Sequence, residues 1–211
     1  DLAGIDDMLS PDEKAVRASV RQLCASSIDP YIADWFESGD LPAVRDLAKE
    51  LGALGLLGMH LQGYGCAGMS AVDYGLACLE LEASDSGIRS LVSVQGSLAM
   101  FAIWEYGTEE QKLQWLPPMA TGEAIGCFGL TEPDHGSDPA NMGTRARRDG
   151  GSDTADWVGN GPKMWTTNGS GADVAVIWAQ DQGGCGGIGG TTHATGYPAP
   201  VRRPKPPRRG P

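Results

Sequence analysis

Two short strings hold most of the groups able to do chemistry. Residues 127–138 read Cys-Phe-Gly-Leu-Thr-Glu-Pro-Asp-His-Gly-Ser-Asp, and residues 163–169 read Lys-Met-Trp-Thr-Thr-Asn-Gly. Gly126, Gly129 and Gly136 let a ligand approach the main chain closely, so peptide N–H and C=O groups can meet the polar edge of a flat heterocycle. The Thr131 hydroxyl can reach a ring nitrogen. The Gly136-Ser137-Asp138 turn offers N–H and hydroxyl donors of the kind that hold a pyrophosphate. Trp165 has a face large enough to cover a ring. On the residues alone a second account stands beside this one: a strand ending in a polar turn, with Trp165 in a core. Arg89-Ser90 is the other candidate, because a guanidinium with an adjacent hydroxyl suits a buried carboxylate. Its alternative is a solvated Arg at a helix end capped by Ser.

Other ionisable residues carry less. His135 reads as an exposed turn residue, and Glu80, Glu82 and Asp85 as a solvated helix face. Asp134 and Asp138 lack a third ligand at metal-binding spacing, so no metal site is expected. Cys127 reads as a small buried residue.

The elements that must position these residues fall into two kinds. Ser10-Pro11-Asp12-Glu13 joins an N-cap, a first-turn Pro and a capping-box Glu, and Val16, Val20, Leu23 and Cys24 follow at helical spacing. After Asp40, Val44, Leu47, Ala48 and Leu51 predict a second helix, with Gly52 just past its end. A Gly-rich connection spans 58–68. Ser70 with Asp73 caps a third helix, and Ile88–Trp104 is a fourth, strongly apolar segment. Thr108-Glu109-Glu110-Gln111 opens a short helix that Pro117 and Pro118 interrupt. The period then changes. Ala124–Leu130 and Asp173–Ala179 read as strands, and Gly159-Asn160-Gly161 as a turn.

The chain of 211 residues thus reads as α+β: an all-α helical domain over 1–122, then the start of a β domain over 123–180. Residues 181–211 are different material, with 14 Gly or Pro and few large apolar side chains, and predict a disordered tail. Net charge is −11, and residues 1–200 alone carry −16, which argues against a nucleic-acid partner. No apolar run approaches the ~18 residues of a spanning helix. Five cysteines form no CxxC or Cys/His cluster, and no charged-then-apolar leader opens the chain, so the expected address is a bacterial-type cytoplasm.

The two strings resemble the flavin-contacting segments of the acyl-CoA dehydrogenase family. The similarity runs over 1–180 and includes Leu56-Leu57-Gly58-Met59, Tyr106-Gly107-Thr108-Glu109-Glu110-Gln111-Lys112 and Ala172-Asp173. Arg89-Ser90, within Arg-Ser-Leu-Val-Ser-Val-Gln, is most similar to the glutaryl-CoA branch. This resemblance implies that the β part is the start of a β-barrel or sandwich-like middle domain, and that FAD is the cofactor, held by Phe128, Gly129, Leu130, Thr131, Gly136, Ser137, Trp165, Thr166 and Thr167. It also implies that Arg89, Ser90 and Ser137 face an acyl-CoA substrate. The implied reaction is α,β-dehydrogenation of the thioester, with decarboxylation of a glutaryl product, in a homotetramer that hands electrons to an electron-transfer flavoprotein. In the family the base is a Glu of a C-terminal helical domain, so no residue here takes a catalytic role. Gly159, Pro162 and Thr166 depart from the family pattern, and after Ala179 the resemblance gives way to Gly/Pro/Arg-rich sequence, the composition of a shifted reading frame. The alternatives are a dehydrogenase for another short acyl-CoA, and an inactive remnant or binding module.

Overall fold

The computed structural model describes residues 4–39, 41–149, 157–181 and 184–191, the last stretch by its backbone. Helices come first: α1 (Pro11–Leu23), α2 (Ile32–Ser38), α3 (Leu41–Ala53), α4 (Ala71–Ser84), α5 (Ser86–Ser93), α6 (Phe101–Tyr106) and α7 (Glu109–Ala120). Two π-helical segments, Cys24–Ile28 and Val94–Met100, continue α1 and link α5 to α6. Strands follow: β1 (Gly126–Gly129), β2 (Arg145–Arg148), β3 (Trp157–Asn160), β4 (Val174–Asp181) and β5 (Gly184–Thr191). The helical-then-sheet order expected of this α+β chain is what is observed.

Three helices start on complete capping boxes. Ser10 accepts from the Glu13 N–H at 3.2 Å while its own N–H donates to the Glu13 carboxylate at 2.7 Å; Ser70 with Asp73 and Thr108 with Gln111 repeat the arrangement. Each cap stabilises its helix by about 1 kcal/mol. Short α2 was not expected; it ends at Gly39, whose φ of 67° suits a left-handed cap. The apolar stripes of α1, α3 and α4 meet in one core that includes Val20, Ile28, Leu47, Leu51, Leu57 and Leu81. A second core lies under the sheet, where Met100, Leu116 and Met119 pack on Val174 and Val176, with Phe128 against them.

Several local expectations change in three dimensions. Gly52 lies inside α3 rather than beyond it. A Cβ there would come within 2.4 Å of the Thr121 main chain, so the residue is small to permit close approach, not to cap. Pro117 and Pro118 sit within α7, whose last turn is held by buried Leu116, Met119 and Ala120. Gly159 and Asn160 belong to β3, and the close approach is at Gly161, where a Cβ would strike Thr144 Oγ1 at 2.4 Å. Glu80 is no solvated residue. It is buried between α1 and α4, taking Arg17 Nε at 2.7 Å and Arg21 Nε at 2.8 Å. Those bonds, Arg21's foremost, hold its carboxyl below the usual range against the opposing effect of burial. Asp85 caps α5, accepting the Ile88 N–H at 2.9 Å.

In the sheet, β4 is the centre. It pairs in parallel with β1 (Gly126↔Val174 to Gly129↔Ile177) and touches β2 at Arg145↔Gln180. An antiparallel partner, β5, runs its whole length, from Val174↔Thr191 to Asp181↔Gly184. The reading of 181–211 as unstructured is therefore corrected at 184–191. Ladder hydrogen bonds join main-chain groups and need no large side chains, so a Gly-rich sequence can pair wherever a neighbouring edge is open. Residues 182–183 and 192–211 lie outside the described residues.

Candidate flavin site on the middle domain

Strand β1 delivers the first string. Its main chain is fixed from the helical side by Gln95, a buried amide on the π-helical segment. Gln95 accepts the Gly126 N–H at 2.7 Å and donates to the Met119 and Ala124 carbonyls at 2.9 and 2.8 Å. Beyond β1 the chain leaves the sheet with Leu130 and Thr131 half-buried, while Gly136 and Ser137 are exposed. His135 is half-buried rather than exposed.

The second string lies directly beside the first. Met164 N donates to the Thr131 carbonyl at 2.8 Å, and Asn168 Nδ2 to the Gly126 carbonyl at 3.1 Å. Under this seam is an ion pair. Lys163 Nζ lies 2.8 Å from Glu132 Oε1 and 3.0 Å from the Leu130 carbonyl, with side-chain exposures of 10% for Lys163 and 3% for Glu132. Glu132 also accepts the Gly143 and Thr144 N–H groups at 2.6 and 2.9 Å. Burial alone would raise its carboxyl, but the bonds from Lys163, Thr144 and Gly143 outweigh it and bring the pKa down to about 2.

Trp165 stands out from this seam. It is 83% exposed, with φ at 54°, a conformation in which a bulky side chain is strained. The core alternative for Trp165 is thereby excluded. Thr166 is half-buried and Thr167 exposed on the turn that follows. The half-buried Thr131 and the exposed Trp165 are thus brought close by the Met164–Thr131 hydrogen bond, and the exposed Gly136-Ser137 turn follows Thr131 along the chain. Their donor set fits a planar ring with a polar edge.

Arg89 and Ser90 sit on α5, in the helical body. The guanidinium is already engaged, with Nε 2.6 Å from Glu82 Oε2 and Nη1 3.2 Å from Ser93 Oγ, and a side chain 34% exposed. Among the described residues no hydrogen bond joins them to 128–137. Glu132, Lys163, Asn168 and Gln95 were absent from the sequence-derived site. Glu132 and Lys163 do lie inside the two strings, and an acid in one with a base in the other was the available signal.

The chain belongs to the acyl-CoA dehydrogenase family, a family of oxidoreductases: residues 10–123 match its N-terminal domain and residues 127–195 its middle domain. The match runs past residue 180, where the sequence resemblance was read as ending, and takes in β5. Among solved structures, glutaryl-CoA dehydrogenase from Mycobacterium smegmatis is 64% identical with a TM-score of 0.87, over 93% of this chain and 49% of that one. A second structure of a glutaryl-CoA dehydrogenase from that organism, in complex with FADH2, is 59% identical with a TM-score of 0.87, over 92% and 49%. The mitochondrial short-chain specific acyl-CoA dehydrogenase of Bos taurus is 34% identical over 81% of this chain and 40% of its own length. The chain spans about half the length of these relatives, or less.

Proposed function

We propose that this chain supplies the N-terminal and middle domains of a FAD-dependent dehydrogenase for an acyl-CoA thioester, with glutaryl-CoA as the substrate. One observation carries the flavin part of this reading: Trp165, strained and exposed, is stitched through Met164 to the Thr131 segment. In it, Phe128, Gly129, Leu130, Thr131, Gly136 and Ser137, together with Trp165, Thr166 and Thr167, would hold the cofactor. The bound flavin supplies hydride acceptance from the β-carbon. The residues here bind and orient. Trp165 covers a ring face and excludes water from it, and the hydroxyls of Thr131 and Ser137 donate to polar atoms of cofactor and thioester. None of them removes the α-proton, so that group comes from outside the residues described. Electron-transfer flavoprotein as acceptor and a homotetrameric assembly belong to the same reading, by family resemblance.

For substrate choice the proposal rests on Arg89 and Ser90, a guanidinium and hydroxyl able to hold the far carboxylate of a glutaryl chain. A different short acyl-CoA is the second reading, favoured by the Arg89–Glu82 pair, which already satisfies the guanidinium. Comparing glutaryl-CoA with butyryl-CoA turnover in a full-length protein carrying these residues separates the two. The first test is visible absorbance of the purified 211-residue chain with and without added FAD. A retained flavin band supports the site; a chain that stays colourless at saturating FAD removes flavin binding from it.

A further inference from the structure

The Glu132–Lys163 pair is costly to bury, with side-chain exposures of 3% and 10%. Two opposite charges are taken out of water, and each needs further partners to remain there. The partners come from three separate stretches of chain. Lys163 holds the Leu130 carbonyl and Glu132, and its ammonium lies 3.6 Å from the sulfur of Met142, which is fully buried. Glu132 draws in the Gly143 and Thr144 amides. Thr144 Oγ1 in turn lies 3.4 Å from the Pro162 carbonyl, behind Gly161, which has no Cβ to obstruct it. One knot therefore closes residues 130–132, 142–144 and 161–164 on each other.

What emerges from the knot is Trp165. Its neighbour Met164 is bonded to Thr131, and the far end of the turn is fixed by Asn168 to Gly126 and by Arg45 Nη1 to the Gly171 carbonyl at 2.9 Å. A left-handed aromatic residue with almost no burial of its own cannot hold that backbone unaided; the surroundings must over-determine it. We propose that the buried Glu132–Lys163 pair is the positioning device of the site: it fixes the turn bearing Trp165 beside Thr131 before any ligand arrives. Neither residue touches the ligand. The inference rests on the flavin reading above for what the turn is positioned to meet, and on the geometry alone for the clamp.

The test uses the full 211-residue chain and two readouts, amide hydrogen exchange and FAD titration. Lys163→Met keeps the apolar stem and removes the charge. It is expected to speed exchange of the Met164 and Gly169 amides, and to weaken FAD binding about ten- to a hundred-fold, the usual effect of loosening the support behind a site. The Trp35 and Tyr74 amides, in α2 and α4, should keep their wild-type rates. If Lys163→Met does not fold, Glu132→Gln carries the test, since it keeps the size and one acceptor oxygen while removing the charge. Unchanged exchange at Met164 and Gly169 in the variants overturns the clamp. Faster exchange throughout the chain overturns it too, leaving only a structural role. Loosened amides with unchanged FAD affinity separate the clamp from the ligand and overturn its positioning role. If the wild-type chain retains no FAD, the flavin reading fails for this chain, and the exchange data still decide the clamp.

Discussion

At the scale of single residues, two side chains carry opposite signatures. The Glu132 carboxyl has a folded value of about 2 against an ordinary 4.5, so it is a depressed acid. Its contribution to stability is fully present above about pH 4.5 and is lost as pH falls towards 2. Acid titration followed by circular dichroism should show unfolding in that window. In Glu132→Gln the dependence over the same range should flatten, on a baseline lowered by about 3–5 kcal/mol because Lys163 is left buried without its partner. Trp165 behaves the other way. Its side chain buries little, and its left-handed backbone costs roughly 1–2 kcal/mol. Trp165→Gly should therefore leave the melting temperature unchanged or raise it, while FAD retention falls. A lower melting temperature would mean that the indole is packed, and that its exposure is not reserved for a ligand.

At the scale of elements, the question is how a strand is docked on a helix bundle. Gln95 does this with one uncharged amide, bonded to the end of α7, to the connection after it and to the first residue of β1. Replacing it with Leu removes the partner of the Gly126 N–H and of the Ala124 carbonyl in a buried place, while the Met119 carbonyl keeps the Gly122 N–H. Gln95→Leu should cost about 3 kcal/mol or more, read by chemical denaturation. Arg45 performs the partly exposed version of the same task. Its guanidinium grips Asp173 at 2.7 Å, and Asp173 accepts the Ile125 N–H at 2.9 Å, so α3, the approach to β1 and the approach to β4 are tied together. Gly52 completes the docking, since α3 can reach the turn after α7 only where no side chain intervenes.

At the scale of the whole molecule, the described surface carries large apolar groups with little cover. Phe36 is 74% exposed, Tyr106 73% and Leu113 60%, besides Trp165. Apolar exposure of this kind favours association, while the acidic charge of the body opposes it. Raising the salt concentration screens the repulsion and leaves the apolar attraction in place. Light scattering of the purified chain should therefore report larger species at high salt than at low salt. A monomer at every salt concentration would contradict this account. Among the described residues no helix is long and apolar enough to cross a membrane.

The capping boxes at Ser10, Ser70 and Thr108 were legible in the sequence because each is completed within four residues, by groups that find each other whatever the rest of the chain does. The β-branched run at Val174–Ile177 was legible for a similar reason, and the two glycine-rich strings marked the site. Short α2, with no N-cap side chain to announce it, was not legible. Nor was β5, whose pairing depends on an open edge of β4 rather than on its own side chains. Glu80 looked solvated because its partners Arg17 and Arg21 lie about 60 residues earlier. The roles of Gln95 and of Glu132 with Lys163 were hidden in the same way, since a buried amide or ion pair is defined by groups from distant segments. The sequence by itself determined the element types, the family and the strings that make the candidate site, since all of these are local patterns. Only the tertiary structure decided which polar groups are buried together, that Trp165 points out and not in, and that Arg89 faces Glu82, because burial and long-range pairing exist only once the segments have packed.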